Sequence, residues 1–379
     1  MLRTISRSWG RILAVLLKEL VQLRRERLTF AMLIGVPIMQ LVLFGYAING
    51  DPRQLPTVVV ALDDSPLVRT IVRAVENTDY FHLLGSVSDS QAEALLASGK
   101  VQFALVFPAD FSRRLLRGEQ PALVVYADAS DPAATGPAVA ALLALPGLAL
   151  SHDLQGAIAP RRAGAAPFEV RLHRRYNPEG LTAYNVVPGL MGVILTMTLV
   201  MMTAMAMTRE RERGTLENLL ATPVRPLEMM AGKILPYVIF GYGQVLLIYA
   251  TSRWLFGVPM AGSFGLLTAM VLLFITATLA VGFAFSTVAR SQLQSMQMTV
   301  FYFLPNVLLS GFMFPFRGMP RWAQVIGEVL PLTHFLRIVR AIMLKGSGLA
   351  ALWPEAAAIG AFIAVMALVS MLRYRQTID

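Results

Sequence analysis

The sequence predicts a membrane all-α bundle of six transmembrane helices, with an inserted α/β extracytoplasmic domain between the first and second spans. Three observations predict it. Of 379 residues, 56% are hydrophobic and only 15% charged, where a soluble chain carries about a quarter charged residues. From residue 184 onward, apolar stretches approach the ~20 residues that cross a bilayer. Between residues 49 and 183 they give way to alternating strand-like and helix-like patterns.

Taken in order, residues 1–28 read as a cytoplasmic amphipathic interface helix. Leu13, Leu16, Leu17, Leu20, Val21 and Leu23 share one arc at helical spacing, and Arg11, Lys18, Glu19, Gln22, Arg25 and Glu26 the other. Such a helix lies along the inner membrane surface. Residues 29–48 form the first span, with Pro37 inside it. Its apolar run is too long, and its basic lead too extended, for a cleaved signal peptide. Within 49–183, strands are predicted at Thr57–Leu62, Phe81–Val87, Val101–Phe107, Leu123–Tyr126 and Phe168–Leu172. Helices start after Ser65-Pro66, Ser88-Asp89 and Pro108-Ala109-Asp110. Ala133–Leu150 imitates a span, but Pro137, Pro146 and Gly147 interrupt it. It reads as a helix packed on the sheet or leading back to the membrane. The region 184–379 supplies five more spans, at about 186–207, 235–251, 264–288, 298–314 and 352–372.

Orientation follows from Lys and Arg in the flanks. Arg3, Arg7, Arg11, Lys18, Arg24, Arg25 and Arg27, the loop after the second span, Arg290, and Arg373 and Arg375 all fall on one side, which should be the cytoplasm. Both termini are then cytoplasmic. The segment 317–345 dissents, placing Arg317, Arg321, Arg337, Arg340 and Lys345 on the outer side. The net charge of +10 sets topology rather than marking a nucleic-acid partner, for no nucleic-acid reader motif is present.

Several chemistries are missing. Cysteine is absent, which removes disulfides, thiolate chemistry and Cys-based metal sites. The four histidines are scattered, so no metal site is predicted. No G-x-x-x-x-G-K-[ST] loop exists, so the chain should bind no ATP and no cofactor of its own. No catalytic arrangement stands out, and the chain reads as a non-enzyme. The spans carry essentially no ionisable residue at mid-depth, where ion-coupled transporters place theirs. Energy for any transport must come from another protein.

The densest polar segment is 209–228, wedged between two spans. Arg209 to Arg213, with Glu210 and Glu212, can extend the second span into the cytoplasm as a helix. Gly214 permits a bend, and Thr215 can cap a short helix with Glu217 in its favourable first turn. Leu216, Leu219 and Leu220 give that helix an apolar face for a groove on a partner. Thr222 and Pro223 follow; Pro223 and Pro226 end the helix and restart the chain toward Gly232-Lys233 and the third span. On the second span Met197, Met201 and Met205 supply soft, adaptable side chains, and Asn306 sits on the fifth. These four are the candidate lining of a path for hydrophobic or amphipathic, drug-like or lipid-like molecules.

Glu212, Gly214-Thr215-Leu216-Glu217, Leu220, Thr222-Pro223 and Gly232-Lys233 resemble the cytoplasmic coupling motif of permease subunits of type-2 ABC exporters, in the multidrug-type branch with a large periplasmic domain. Ser310-Gly311-Phe312-Met313-Phe314-Pro315, Pro331-Leu332-Thr333-His334, Arg340 and Lys345-Gly346 resemble the same family, as do Leu105 to Phe111 and Asp128-Ala129-Ser130-Asp131. Where the family usually has Gly, this chain has Ala129. The resemblance covers the whole length. It implies that residues 315–346 form outer re-entrant helices. It also implies a second permease copy or a paralogue in the membrane, each permease docked on a separate ABC ATPase subunit that holds ATP and Mg. A periplasmic adaptor could meet the outer domain, and the location would be the bacterial inner membrane. The alternative is a cell-surface receptor or secretion scaffold of similar topology with no transport of its own.

Overall fold

The computed structural model describes residues 52–150, 166–212 and 226–374. The expected interface helix 1–28, the first span 29–48 and the centre of the coupling segment lie outside these residues.

The α/β domain is built on one five-stranded sheet of order β2-β1-β3-β4-β5. The strands are β1 (Leu55–Ala61), β2 (Phe81–Ser86), β3 (Phe103–Phe107), β4 (Ala122–Asp128) and β5 (Glu169–Arg175). β1 runs parallel to β2 and β3, β4 antiparallel to β3, and β5 parallel to β4. The unbroken Val58-Val59-Val60 run is buried because β1 is covered on both faces. One face, through Val59, Leu105 and Val125, packs with α1 (Pro66–Glu76), α3 (Phe111–Leu116) and α4 (Pro132–Ala144). The other, through Val58, Val60 and Ala104, packs with Ala92 and Leu96 of α2 (Asp89–Ala97). Caps set the helix starts: Ser65 accepts from Val68 N, and Ser88 forms a reciprocal capping box with Gln91. The apolar run around Ala133 becomes α4, which buries Ala134, Ala138 and Leu142 at four-residue spacing against the sheet. At 13 residues it is too short to span. β5 extends to Arg175, beyond the Leu172 expected, because β4 holds it in register from Ala122↔Glu169 to Asp128↔Arg175.

The remainder is helical: α5 (Thr182–Glu212), α6 (Pro226–Trp254), α7 (Phe264–Val288), α8 (Gln292–Leu309), α9 (Arg321–Val329), α10 (Pro331–Lys345) and α11 (Leu349–Tyr374). Among the described residues, four helices are long and apolar enough to cross a membrane: Thr182–Glu210, Ile234–Trp254, Phe264–Val288 and Leu349–Leu372. The fifth span expected at 298–314 is instead the 18-residue α8. Ser291 caps it early, accepting from Gln294 N, so Gln292, Gln294 and Gln297 are helical. Gly311, at φ +82°, turns the chain out after Ser310. The six-span count is thus not reached among the described residues.

α5 and α7 form the centre of the bundle. Half of each of their span windows is buried, against 17% for α6 and α11, which leaves the latter two faces for lipid or a partner. Phe274 of α7 stacks on Phe335 of α10 with ring centroids 4.1 Å apart. Gly282 brings α7 against α5: a Cβ there would sit 2.8 Å from Thr203 Cβ and 2.9 Å from the Val200 carbonyl oxygen. The carbonyl belongs to a helix backbone and cannot swing away. Gly282→Ala is therefore expected to cost about 1–3 kcal/mol, read as a lower thermal midpoint in detergent. Gly360→Ala, whose Cβ meets nothing within 4 Å, should be neutral or slightly stabilising.

The five basic residues that broke the charge pattern are mostly committed to partners. Arg337 Nη2 lies 2.6 Å from Glu328 and Nη1 3.3 Å from Glu355, tying α9, α10 and α11 together. Arg340 donates to the Gly311 carbonyl at 3.3 Å. Lys345 forms an ion pair with Asp128 in which both side chains are nearly buried. That pair joins the α/β domain to the bundle. Beside it the Lys345 ammonium lies 5.2 Å from the Tyr176 ring centroid. Asp131, which caps α4, accepts from Asn185 of α5 at 3.0 Å.

His334 completes the three-helix network. It bonds the Glu355 carboxylate through Nδ1 and the Glu328 carbonyl through Nε2 at 2.8 Å. Burial pushes its pKa down, but these bonds and the Glu355 charge outweigh burial and the opposing Arg337, and hold it above the ordinary 6.5. A folded value raised above the unfolded one stabilises fully below about pH 6.5, and that contribution is lost as pH rises through the folded value. The gap in thermal midpoint between wild type and His334→Gln should accordingly be widest near pH 6 and narrow toward pH 9.

Candidate functional site

α5 contains 31 residues, roughly 46 Å at ~1.5 Å per residue, against a hydrocarbon core of ~30 Å. Its last turns, from Thr208 to Glu212, therefore project past the apolar layer at the end away from the α/β domain. They do not dangle. The Glu212 carboxylate accepts from the Gln292 backbone N–H at 2.9 Å and from Gln292 Nε2 at 2.7 Å. Arg209 Nε donates to Gln292 Oε1 at 3.1 Å. One turn earlier the buried Thr208 and Ser295 hydroxyls meet at 2.7 Å. Because Thr208 donates to the Ala204 carbonyl at 2.8 Å, Ser295 is the donor to Thr208. Gln292 opens α8, so Glu212 satisfies one of the first-turn N–H groups that a helix leaves without partners. Its negative charge also suits the positive end of the helix dipole. The charged exit of α5 is thus fastened to the start of α8.

The expected coupling residues fall around this anchor. Glu210 is half-buried on the last turn of α5, and Glu212 is the anchor itself. Gly232 and Lys233 are the seventh and eighth residues of α6, which begins at Pro226, nine residues before the expected third span. Gly214, Thr215, Leu216, Glu217, Leu219, Leu220, Thr222 and Pro223 lie outside the described residues. Met197, Met201 and Met205, four residues apart, share one stripe of α5; Met197 is 42% exposed and the other two are half-buried. Asn306 is fully buried, its Nδ2 donating to the Tyr302 carbonyl at 3.1 Å. It therefore faces the inside of this chain's fold rather than the methionine surface. Gln292 and Ser295 were not among the residues expected at the site. Their only signal was a polar cluster, Ser291 to Gln297, placed where a loop was expected. No group of His, Asp or Glu able to hold a metal occurs among the described residues.

Residues 27–372 match the family described as ABC-2 family transporter protein. The chain belongs to this family. It is similar to the Probable multidrug ABC transporter permease YbhS of Escherichia coli (strain K12), with 28% identity over 344 residues and 90% of each chain. To the Inner membrane transport permease YhhJ of the same organism it is 30% identical over 339 residues and 87% of each chain. To the Linearmycin resistance permease protein LnrN of Bacillus subtilis (strain 168) it is 22% identical over 339 residues, 85% of this chain and 88% of that one. With four apolar helices of spanning length among the described residues, the chain is a multi-pass permease subunit of an ABC transporter and, like these relatives, a transport component rather than an enzyme. The receptor or scaffold alternative is not favoured by these relatives.

Proposed function

We propose that this ABC-2 permease is the membrane half of an ATP-driven exporter, moving a hydrophobic or amphipathic, drug-like or lipid-like substrate outward across a bacterial inner membrane. A separate ATPase subunit binds ATP and Mg and docks on the segment between α5 and α6. A second copy or a paralogue completes the membrane pathway. The termini face the cytoplasm, and the α/β domain faces the periplasm, within reach of an adaptor. The observation that carries this reading is the anchored, over-long α5. A docking segment moves a membrane helix only if its root is rigid, and Glu212, Arg209 and Thr208 join that root to α8. The names of the relatives support the substrate class, and the methionine stripe suits it.

The test is a mild-detergent pull-down of the tagged chain followed by an ATPase assay. Near-stoichiometric recovery of a P-loop ATPase is expected from wild type, with its loss in Glu217→Lys. Recovery of the permease alone across several detergents would sink the motor-driven reading.

A further inference from the structure

The α/β domain carries a cationic cleft that the coupling machinery does not use. A cavity of about 700 Å³ opens at the C-terminal end of β5, lined by Tyr126, Leu172, His173, Arg174, Arg175 and Pro178. Among the described residues β5 is an edge strand, paired only with β4. On the sheet face that α2 covers, Ala92 and Leu96 reach as far as Tyr126 of β4, and the register puts His173 and Arg175 on that face. Leu172 and Arg174, partners of Val125 and Ala127, are on the opposite face, so the cleft wraps the free edge of β5. His173 is the register partner of Tyr126, so imidazole and phenol stand side by side, with ring centroids 5.6 Å apart. The Arg175 guanidinium lies 4.7 Å from the Tyr126 ring centroid, which holds it at the cleft. Its nearest carboxylate, Glu93, is 3.9 Å away and exposed, a contact that solvent weakens. Among the described residues no carboxylate lies within ion-pair distance of Arg174. Cations from the two sheet faces thus meet around the free edge of β5, Arg174 beside Leu172 and Arg175 beside the Tyr126 ring.

The cleft's position is as telling as its chemistry. Arg175 pairs in register with Asp128, the residue that joins the domain to Lys345 of the bundle. One turn separates it from α5, and that turn is stiff: Asn177 bonds both the N–H and the carbonyl of Leu181, at 2.9 and 3.0 Å. At this same end of the bundle, where α6 finishes and α11 begins, Trp254 and Trp353 are 83% and 65% exposed. Exposed tryptophans at helix ends mark the membrane–water interface. The cleft thus belongs to the end of the α/β domain that is tied to the bundle, and these tryptophans are exposed at that same end of the bundle.

We propose that this cleft binds the phosphate-bearing headgroup of an anionic amphipath drawn from the adjoining leaflet. The Arg175 guanidinium from the α2 face and the Arg174 guanidinium from the opposite face reach the phosphate oxygens around the free edge of β5, and their planar forks are suited to them. His173 adds a third polar contact on the Arg175 side, and Pro178 with the Tyr126 ring covers the first carbons of the glycerol or acyl portion. The site is independent of the ATPase and of which molecule the transporter moves.

The test is native mass spectrometry of the full-length protein titrated with phosphatidylglycerol or with zwitterionic phosphatidylcholine. Wild type should retain phosphatidylglycerol in preference to phosphatidylcholine. Arg174→Glu/Arg175→Glu should weaken phosphatidylglycerol retention at least about tenfold, as expected for losing charge-assisted contacts, and leave phosphatidylcholine retention unchanged. Arg113→Glu/Arg114→Glu, on α3, makes the same charge change elsewhere on the domain and should have no such effect. Should the cleft variant fold poorly, His173→Ala/Arg174→Gln serves in its place. Competition by millimolar inorganic phosphate would support a headgroup site open also to soluble anions. Absence of competition, with retention of phosphatidylglycerol, would support a site fed only from the membrane. Equal retention by the cleft variant and wild type, or an equal loss in the α3 control, would overturn the proposal.

Discussion

Lys345→Met should be among the most damaging single changes in this protein, costing about 3–5 kcal/mol, the range for removing one partner of a buried ion pair. The side chains of Lys345 and Asp128 are only 9% and 8% exposed, so water cannot solvate the carboxylate left behind. Asp128 is also held in place by its strand, since β4 is paired on both sides, and it cannot rotate out to solvent without breaking the junction. The companion Asp128→Asn/Lys345→Met replaces both charges and should recover much of the loss, because the cost lies in the orphaned charge more than in the missing attraction. Arg69 and Asp64 supply the contrast: their pair is 3.6 Å long, and the side chains are 59% and 85% exposed. Arg69→Met should change stability by no more than about 1 kcal/mol. Thermal unfolding of the full chain in one detergent compares all four proteins. A Lys345→Met midpoint no lower than that of Arg69→Met would mean that the junction is solvated and that the domain is not fastened to the bundle there.

The parts legible in the sequence were those whose signal is local. The apolar stretch of α7 begins at a serine cap and ends before Ala289 and Arg290, so its bounds coincide with the 264–288 expected. β1, β2 and β3 are apolar runs closed by turn residues and lie within a few residues of expectation. Elements whose limits are set by partners were misplaced. β5 is mostly polar after Arg171, and its length comes from β4. α8 starts among glutamines that read as a loop, because nothing local shows that Ser291 caps a helix whose first N–H groups meet Glu212. α6 likewise starts at Pro226, well before its apolar stretch. The candidate site follows the same division. The charge density of 209–228 could be read directly. That Glu212 bonds a residue 80 positions away, or Asp128 one 217 positions away, could not, because only the packed fold brings them together. The basic residues of 317–345 follow the same division: counted as free charges they opposed the expected topology, and in the fold Arg337 and Lys345 are matched by acidic partners.

Glu212→Lys is expected to separate ATP hydrolysis from transport rather than abolish either binding partner. The substitution removes two hydrogen bonds to the first turn of α8 and sets a cation against the positive end of that helix. Each bond to a charged group is worth about 1.5–3 kcal/mol when shielded, and this exposed pair belongs at or below the lower end. The protein should therefore still fold, with the buried Thr208–Ser295 contact intact. What is lost is stiffness at the root of α5: a push delivered between residues 213 and 225 would bend the last turn of α5 instead of moving α5 and α8 as one body. In proteoliposomes carrying the permease with its co-purified ATPase, ATP hydrolysis should persist while substrate moved per ATP falls at least about tenfold, equivalent to some 1.4 kcal/mol of lost coupling. Glu212→Gln keeps one acceptor oxygen for the Gln292 N–H and should retain most of the coupling. Glu217→Lys, by contrast, should lose the ATPase itself. Wild-type coupling in Glu212→Lys would show that the Gln292 anchor carries no force, leaving the buried hydroxyl pair as the joint between α5 and α8.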